Sequence, residues 1–165
     1  MSAALIGLGG NLGDVRATLD RAVAAFCDGE VRLLARSSDY QTPPWGRTDQ
    51  PPFVNLALRV ETSLSPEDLL DKALKVEASL GRDRSKSERW GPRPVDIDIL
   101  AYDDLTLKTD RLTLPHPRLT ERAFVLVPLD EIAPNWLIAG RPVSAWAAAI
   151  DTTGVTLLPP KDAFR

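Results

Sequence analysis

Apolar residues recur along this chain with two different periods, and the switches between them outline the elements. Leu5, Ile6 and Leu8 form a short apolar run, expected to be a strand that breaks at Gly9-Gly10-Asn11. Behind Asp14, a residue suited to cap a helix, Val15, Leu19, Val23 and Phe26 follow at helical spacing, and Gly29 ends the segment. Residues 31–40 read as strand. Thr42-Pro43-Pro44-Trp45-Gly46 cannot continue it in a sheet, because two prolines remove donors and hold the backbone extended. Val54, Leu56, Leu58 and Val60 then alternate with Asn55, Ala57, Arg59 and Glu61, the period of a strand with one buried face.

A second helix is marked by Ser65-Pro66-Glu67-Asp68, which supplies an N-cap, a proline at the first helical position and a capping-box acid. Leu69, Leu70, Ala73, Leu74 and Leu80 form its apolar stripe, and Gly81 stops it. An arginine-rich stretch at 82–94 leads into a strand at 95–101. Residues 112–117 are expected to be extended, 120–129 and 143–150 helical, and 155–158 a last strand. The order strand-helix-strand-strand-helix-strand is the split βαβ arrangement of a ferredoxin-like domain. It predicts an α+β fold with an antiparallel-rich sheet and helices on one face, the C-terminal helices being an addition. No repeat or linker divides the chain, so residues 1–165 are expected to form a single domain.

Composition narrows the function. With 44% apolar and 26% charged residues the chain suits a globular protein, and its net charge of −3 gives no global pull toward nucleic acid or anionic membrane. Any anion site must be local. The sole cysteine, Cys27, cannot form an intrachain disulfide. The N-terminal residues lack the basic and apolar regions of a signal peptide, and no apolar stretch nears the roughly 20 residues that cross a bilayer. A cytoplasmic location away from membranes is expected.

The chemistry concentrates late in the chain. In Val95-Asp96-Ile97-Asp98-Ile99 both aspartates fall on one strand face, about 6.6 Å apart at Cα. Paired carboxylates repel unless a cation or a proton relieves them, and hard oxygen ligands suit Mg²⁺. A solvated strand face is the plain alternative. Arg82, Arg84, Lys86, Arg89 and Arg93 crowd the preceding segment, where guanidinium forks match phosphate oxygens. Trp90, beside Gly91, makes a closing lid a reasonable reading of that loop. Glu77 projects from the apolar side of its helix near the C-terminal end, against simple rules. It either reaches a cation such as Arg84 or belongs to a site. His116, the only histidine, is held between Pro115 and Pro117, and Arg122 and Phe124 follow it. Phe53, near Asn55, offers a second ring. A Gly-x-x-x-x-Gly-Lys-Ser/Thr loop is absent, which excludes a P-loop enzyme.

Taken in order, these segments resemble the hydroxymethyl-dihydropterin pyrophosphokinase family. The most specific is Arg89-Trp90-Gly91-Pro92-Arg93-Pro94-Val95-Asp96-Ile97-Asp98-Ile99. Gly9-Gly10-Asn11-Leu12-Gly13, Thr42-Pro43-Pro44-Trp45-Gly46, Phe53-Val54-Asn55, Leu114-Pro115-His116-Pro117 and Arg122-Ala123-Phe124 support it. The resemblance implies a ferredoxin-like α/β/α sandwich, generally a monomer, that moves diphosphate from ATP to a reduced pterin. It implies two Mg²⁺ ions on Asp96 and Asp98, and a pterin ring between Phe53 and Phe124. The pterin edge would meet Thr42, Asn55 and the backbone around Pro44 and Trp45. Arg82, Arg84, Trp90 and Arg93 would lie on a loop closing over both substrates. Glu77, Ile99, Leu112, Thr113, His116 and Arg122, with Arg84, Trp90 and Arg93, would form the nucleotide side. Asp96, Asp98, Arg82, Arg93 and His116 are the expected catalytic set. Pro117 and Leu74 stand where some members carry tyrosine and glutamine. The rival readings are another Mg²⁺-dependent phosphotransferase and a ferredoxin-like nucleic-acid-binding module.

Overall fold

The computed structural model describes residues 1–44, 49–81 and 94–161. In chain order these form β1 (Ser2–Gly10), α1 (Val15–Phe26), β2 (Val31–Arg36), β3 (Tyr40–Thr42), β4 (Phe53–Thr62), α2 (Pro66–Ser79) and β5 (Asp96–Tyr102). Then come β6 (Leu107–Lys108), β7 (Thr113–Leu114), a 3-10 turn (Leu119–Glu121), α3 (Ala123–Ile132), β8 (Leu137–Ile138), β9 (Arg141–Pro142), α4 (Val143–Ala149) and β10 (Thr156–Leu157). Among the described residues, no helix is long and apolar enough to cross a membrane.

The main sheet runs β10-β3-β4-β1-β5, with β2 also on β4, and every pairing is antiparallel. β1 extends further than its glycines suggest. Gly9 and Gly10 stay in the ladder, opposite Asn55 and Val54 of β4, so the break at Gly9 expected from local composition is not there. The single strand expected at 31–40 is divided at Ser37. The Ser37 backbone N–H donates to the Ala57 carbonyl at 2.9 Å. Its hydroxyl accepts the Ala57 N–H at 2.8 Å. One residue thereby satisfies both backbone groups of Ala57 across the gap. The two halves then pair with successive stretches of β4.

Side-chain alternation sends two cores to opposite faces of the sheet. Ile6, Leu8, Leu56, Leu58, Ile97 and Ile99 pack against Leu19 and Phe26 of α1 and Leu69 and Ala73 of α2. Leu5, Ala57, Leu100 and Ala101 pack against Leu126 and Leu129 of α3 and Val143 of α4. Helices therefore cover both faces, and the C-terminal helices bury one of them instead of hanging from a one-sided sheet. The fold is α+β. Both long N-terminal helices start as their sequences dictate. Asp14 accepts the Ala17 N–H at 3.3 Å and Ser65 the Asp68 N–H at 3.2 Å. The helix expected from Thr120 is a 3-10 turn followed by α3 from Ala123.

Candidate active site

On the α3 side of the sheet, the buried rows give way to a cleft of about 180 Å³. The strand register builds its floor. Asn55, Gly9 and Asp96 lie side by side across β4, β1 and β5, and Ala57, Gly7 and Asp98 form the next row. Two strand spacings put Asn55 and Asp96 about 9.6 Å apart at Cα, with only a glycine between them. That glycine is required. A Cβ on Gly9 would stand 2.4 Å from Asn55 Oδ1, so the amide can lie over β1 only where the side chain is missing. Asn55 Nδ2 also donates to Thr42 Oγ1 at 3.3 Å, and Thr42 is buried at the end of β3.

Two aromatic rings line the same cleft from different layers. Phe53 is the first residue of β4 and Phe124 the second residue of α3, both half-buried. The Arg122 guanidinium carbon stands 5.6 Å from the centre of the Phe124 ring. Arg118 and Glu121 complete this wall, paired with each other at 3.5 Å.

His116 stands beside the outer edge of β5, where its backbone N–H donates to the Leu100 carbonyl at 2.8 Å. Its Nδ1 accepts the Arg118 N–H at 3.1 Å. Burial holds the ring's pKa below its ordinary 6.5, aided by Arg122 and opposed by Asp96, with Arg118 a smaller depressing influence. At neutral pH the ring is uncharged and its proton sits on Nε2, a donor. Glu77 is 2% exposed, and its Oε2 accepts the Ile97 N–H at 2.7 Å. It grips the strand segment between the two aspartates and does not line the cleft.

Of the residues singled out in the sequence, Thr42, Phe53, Asn55, Asp96, Asp98, Arg122 and Phe124 come together in the cleft. Ile99 and Leu112 do not, since their side chains are buried in the core beneath α1 and α2. Pro44, Thr113 and His116 lie outside its walls. Trp45, Arg82, Arg84, Trp90 and Arg93 fall outside the described residues. Sequence reasoning missed Gly7 and Gly9, whose signal was available: glycines two apart in an apolar run mark a close approach on one strand face. Nothing local marked Arg118 or Glu121.

The family profile of 7,8-dihydro-6-hydroxymethylpterin-pyrophosphokinase matches residues 5–134. The chain belongs to that family. The pyrophosphokinase transfers diphosphate from ATP to the hydroxymethyl group of 6-hydroxymethyl-7,8-dihydropterin, a step of folate biosynthesis. It is 50% identical over 157 residues to the 2-amino-4-hydroxy-6-hydroxymethyldihydropteridine pyrophosphokinase of Methylorubrum extorquens, covering 94% of this chain and 98% of that one. The Bacillus subtilis protein of the same name is 45% identical over 130 residues, 78% of this chain and 77% of its own. Among solved structures, a Plasmodium falciparum HPPK-DHPS triple mutant superposes with a TM-score of 0.71 at 14% identity. That match covers 89% of this chain and 43% of the Plasmodium one, so the pyrophosphokinase spans under half of the solved chain. At that identity the likeness concerns the fold alone.

Proposed function

We propose that the pterin and the ATP phosphates meet over the glycine floor of the cleft. The observation that carries this is the row Asn55–Gly9–Asp96, which sets an amide and a carboxylate on one face of the sheet, both lining the cleft, with the amide reaching over the glycine. The pterin ring would lie between Phe53 and Phe124, its polar edge on Asn55, Thr42 and the backbone near Pro44 and Trp45. Asp96 and Asp98 fit Mg²⁺. They offer hard oxygens from one face of a strand, and both line the cleft. Two ions are expected there. Bound, they would neutralise phosphate charge and help align attacking and leaving groups.

The chain's own contribution is positioning and charge. The pterin's hydroxymethyl oxygen attacks the β-phosphorus and gives up its proton to solvent, the bond from that phosphorus to the α-β bridging oxygen breaks, and AMP departs. Arg122 would face the phosphates from the α3 side. Neutral His116 would donate through Nε2 to a phosphate oxygen. Arg82 and Arg93, on the stretch before β5, are assigned to charge building on the leaving side, and Arg84 and Trp90 to the nucleotide. Thr113 belongs to that side too. Ile99 and Leu112 would serve the nucleotide only through backbone groups, since their side chains are core. Glu77 would act by holding β5 in place.

The sheet order with helices on both faces supports a ferredoxin-like α/β/α sandwich, one domain over residues 1–165. A cytoplasmic monomer is the accompanying reading, and the net charge of −3 supports a protein that uses no nucleic acid.

Asp96→Asn and Asp98→Asn test the assignment. Each is expected to lower turnover by a factor of 100 or more, on the order of 3 kcal/mol in barrier, at saturating MgCl₂ and with an unchanged melting profile. Rates near wild type in either variant would overturn it.

A further inference from the structure

The C-terminal segment lies beyond the residues matched by the family profile, yet it is tied to the edge of the sheet that borders the cleft. β10 pairs with β3, Thr156 opposite Gln41 and Leu157 opposite Tyr40. The Leu158 N–H extends the ladder to the Asp39 carbonyl at 2.9 Å. Arg16 of α1 then fastens both partners at once. Its Nε donates to the buried Asp39 carboxylate and its second guanidinium nitrogen to the Pro159 carbonyl, each at 2.9 Å. Lys161 pairs with Asp20 of the same helix.

Ahead of β10 the chain makes a turn. Asp151 accepts the Thr153 N–H at 2.9 Å, and the Val155 N–H closes on the Thr152 carbonyl at 3.0 Å. Gly154 sits in this turn with φ +89°, and a Cβ there would stand 3.2 Å from Cδ of Pro43. Pro43 lies between Thr42, the hydrogen-bond partner of Asn55, and Pro44. The turn therefore backs Pro43, which directly follows the cleft-lining Thr42. Residues 151–161 contain no fully buried side chain, and Leu158 rests partly buried on the edge of the α1–α2 core.

We infer that residues 152–161 are a strap that positions the pterin half of the site, acting through Pro43 on Thr42 and Pro44 without touching substrate. This rests on the reading that the pterin lies against Thr42 and Asn55. The strap and β3 stand at one end of the main sheet and Asp96 and Asp98 on the strand at the other, with β4 and β1 between. Disturbing the strap should therefore reach the pterin and spare the nucleotide.

Two variants of the full chain test it, with Asn55→Ala as the reference. Gly154→Val adds a side chain against Pro43 at a positive φ, and Leu158→Pro deletes the N–H that bonds Asp39 together with a leucine resting on the core edge, so the melting temperature is read beside the kinetics. The readouts are KM for 6-hydroxymethyl-7,8-dihydropterin, KM for ATP, kcat and the melting temperature. The expected result is a pterin KM raised on the order of tenfold in both variants, with ATP KM and kcat within about twofold of wild type. If the strap variants keep a normal pterin KM while Asn55→Ala raises it, the strap is overturned and the cleft reading stands. If all three keep it, the cleft reading fails and the strap with it. Both KM values rising together alongside a lower melting temperature would reduce the strap to general stability. Should one strap variant fail to fold, the same ratio in the other decides.

Discussion

At the scale of single residues, the most constrained position is Gly9. Every other member of its row carries chemistry, while Gly9 contributes the absence of an atom. Gly9→Ala would place a methyl 2.4 Å from Asn55 Oδ1, far inside contact distance, so the amide must swing off the floor. The expected outcome is a rise in pterin KM of about tenfold or more with little loss of stability, read from steady-state kinetics and urea denaturation. Cys27 gives a pH prediction unconnected to the site. Burial pushes its thiol up to about 11 from an ordinary 9.0, against a smaller lowering by Lys72. Between those values the unfolded chain releases the proton and the folded chain keeps it. Stability is thus intact below pH 9 and falls as pH rises through 11. Urea midpoints from pH 8 to 11 should decline less steeply in Cys27→Ala than in wild type.

At the scale of elements, the bond from Glu77 to the Ile97 N–H joins α2 to the strand that carries both aspartates. Removing the acceptor leaves that N–H buried without its carboxylate, a cost of about 1–3 kcal/mol. Glu77→Ala should lose that much stability and also slow turnover, while Glu77→Gln, which keeps an accepting oxygen, should retain most of both. Chemical denaturation paired with kcat separates the two variants. This contact was beyond sequence reasoning, which registered only that a carboxylate was misplaced on an apolar stripe. The bounds of α2 were legible because its cap and first-turn proline are local signals, while its stripe was read with Leu74 in place of the buried Val76. Asp96, Asp98 and Asn55 were legible on their strand faces for a related reason, since a period of two fixes which side chains share a face, whereas Phe53 entered the site only through the family resemblance. The run 31–40 was read as one strand because its interruption depends on Ser37 bonding Ala57, twenty residues away. Gly9 and Gly10 were read as a break because glycine looks like a breaker until the opposite strand is known. Pairing partners decide such cases, and no window of sequence contains both.

At the scale of the whole molecule, two cores share one sheet. The face under α1 and α2 is filled from Ala4 to Leu8. The opposite face is filled only where α3 and α4 reach it, at Leu5, Ala57, Leu100 and Ala101. C-terminal residues that seemed an addition in the sequence are what bury this second face. Where their cover stops, the sheet changes from apolar support to chemistry without any change of element.

The glycine floor thus amounts to an unfinished layer of the protein interior. A flat, largely apolar ring with a polar rim is the missing piece of that layer, and on the proposed placement the pterin supplies it from outside the chain. Substrate binding would then resemble the last step of folding. A pterin held at one hundred times its dissociation constant would add about 2.7 kcal/mol to the stability of the native state. The enzyme's resistance to unfolding in a cell would track the supply of the compound it consumes.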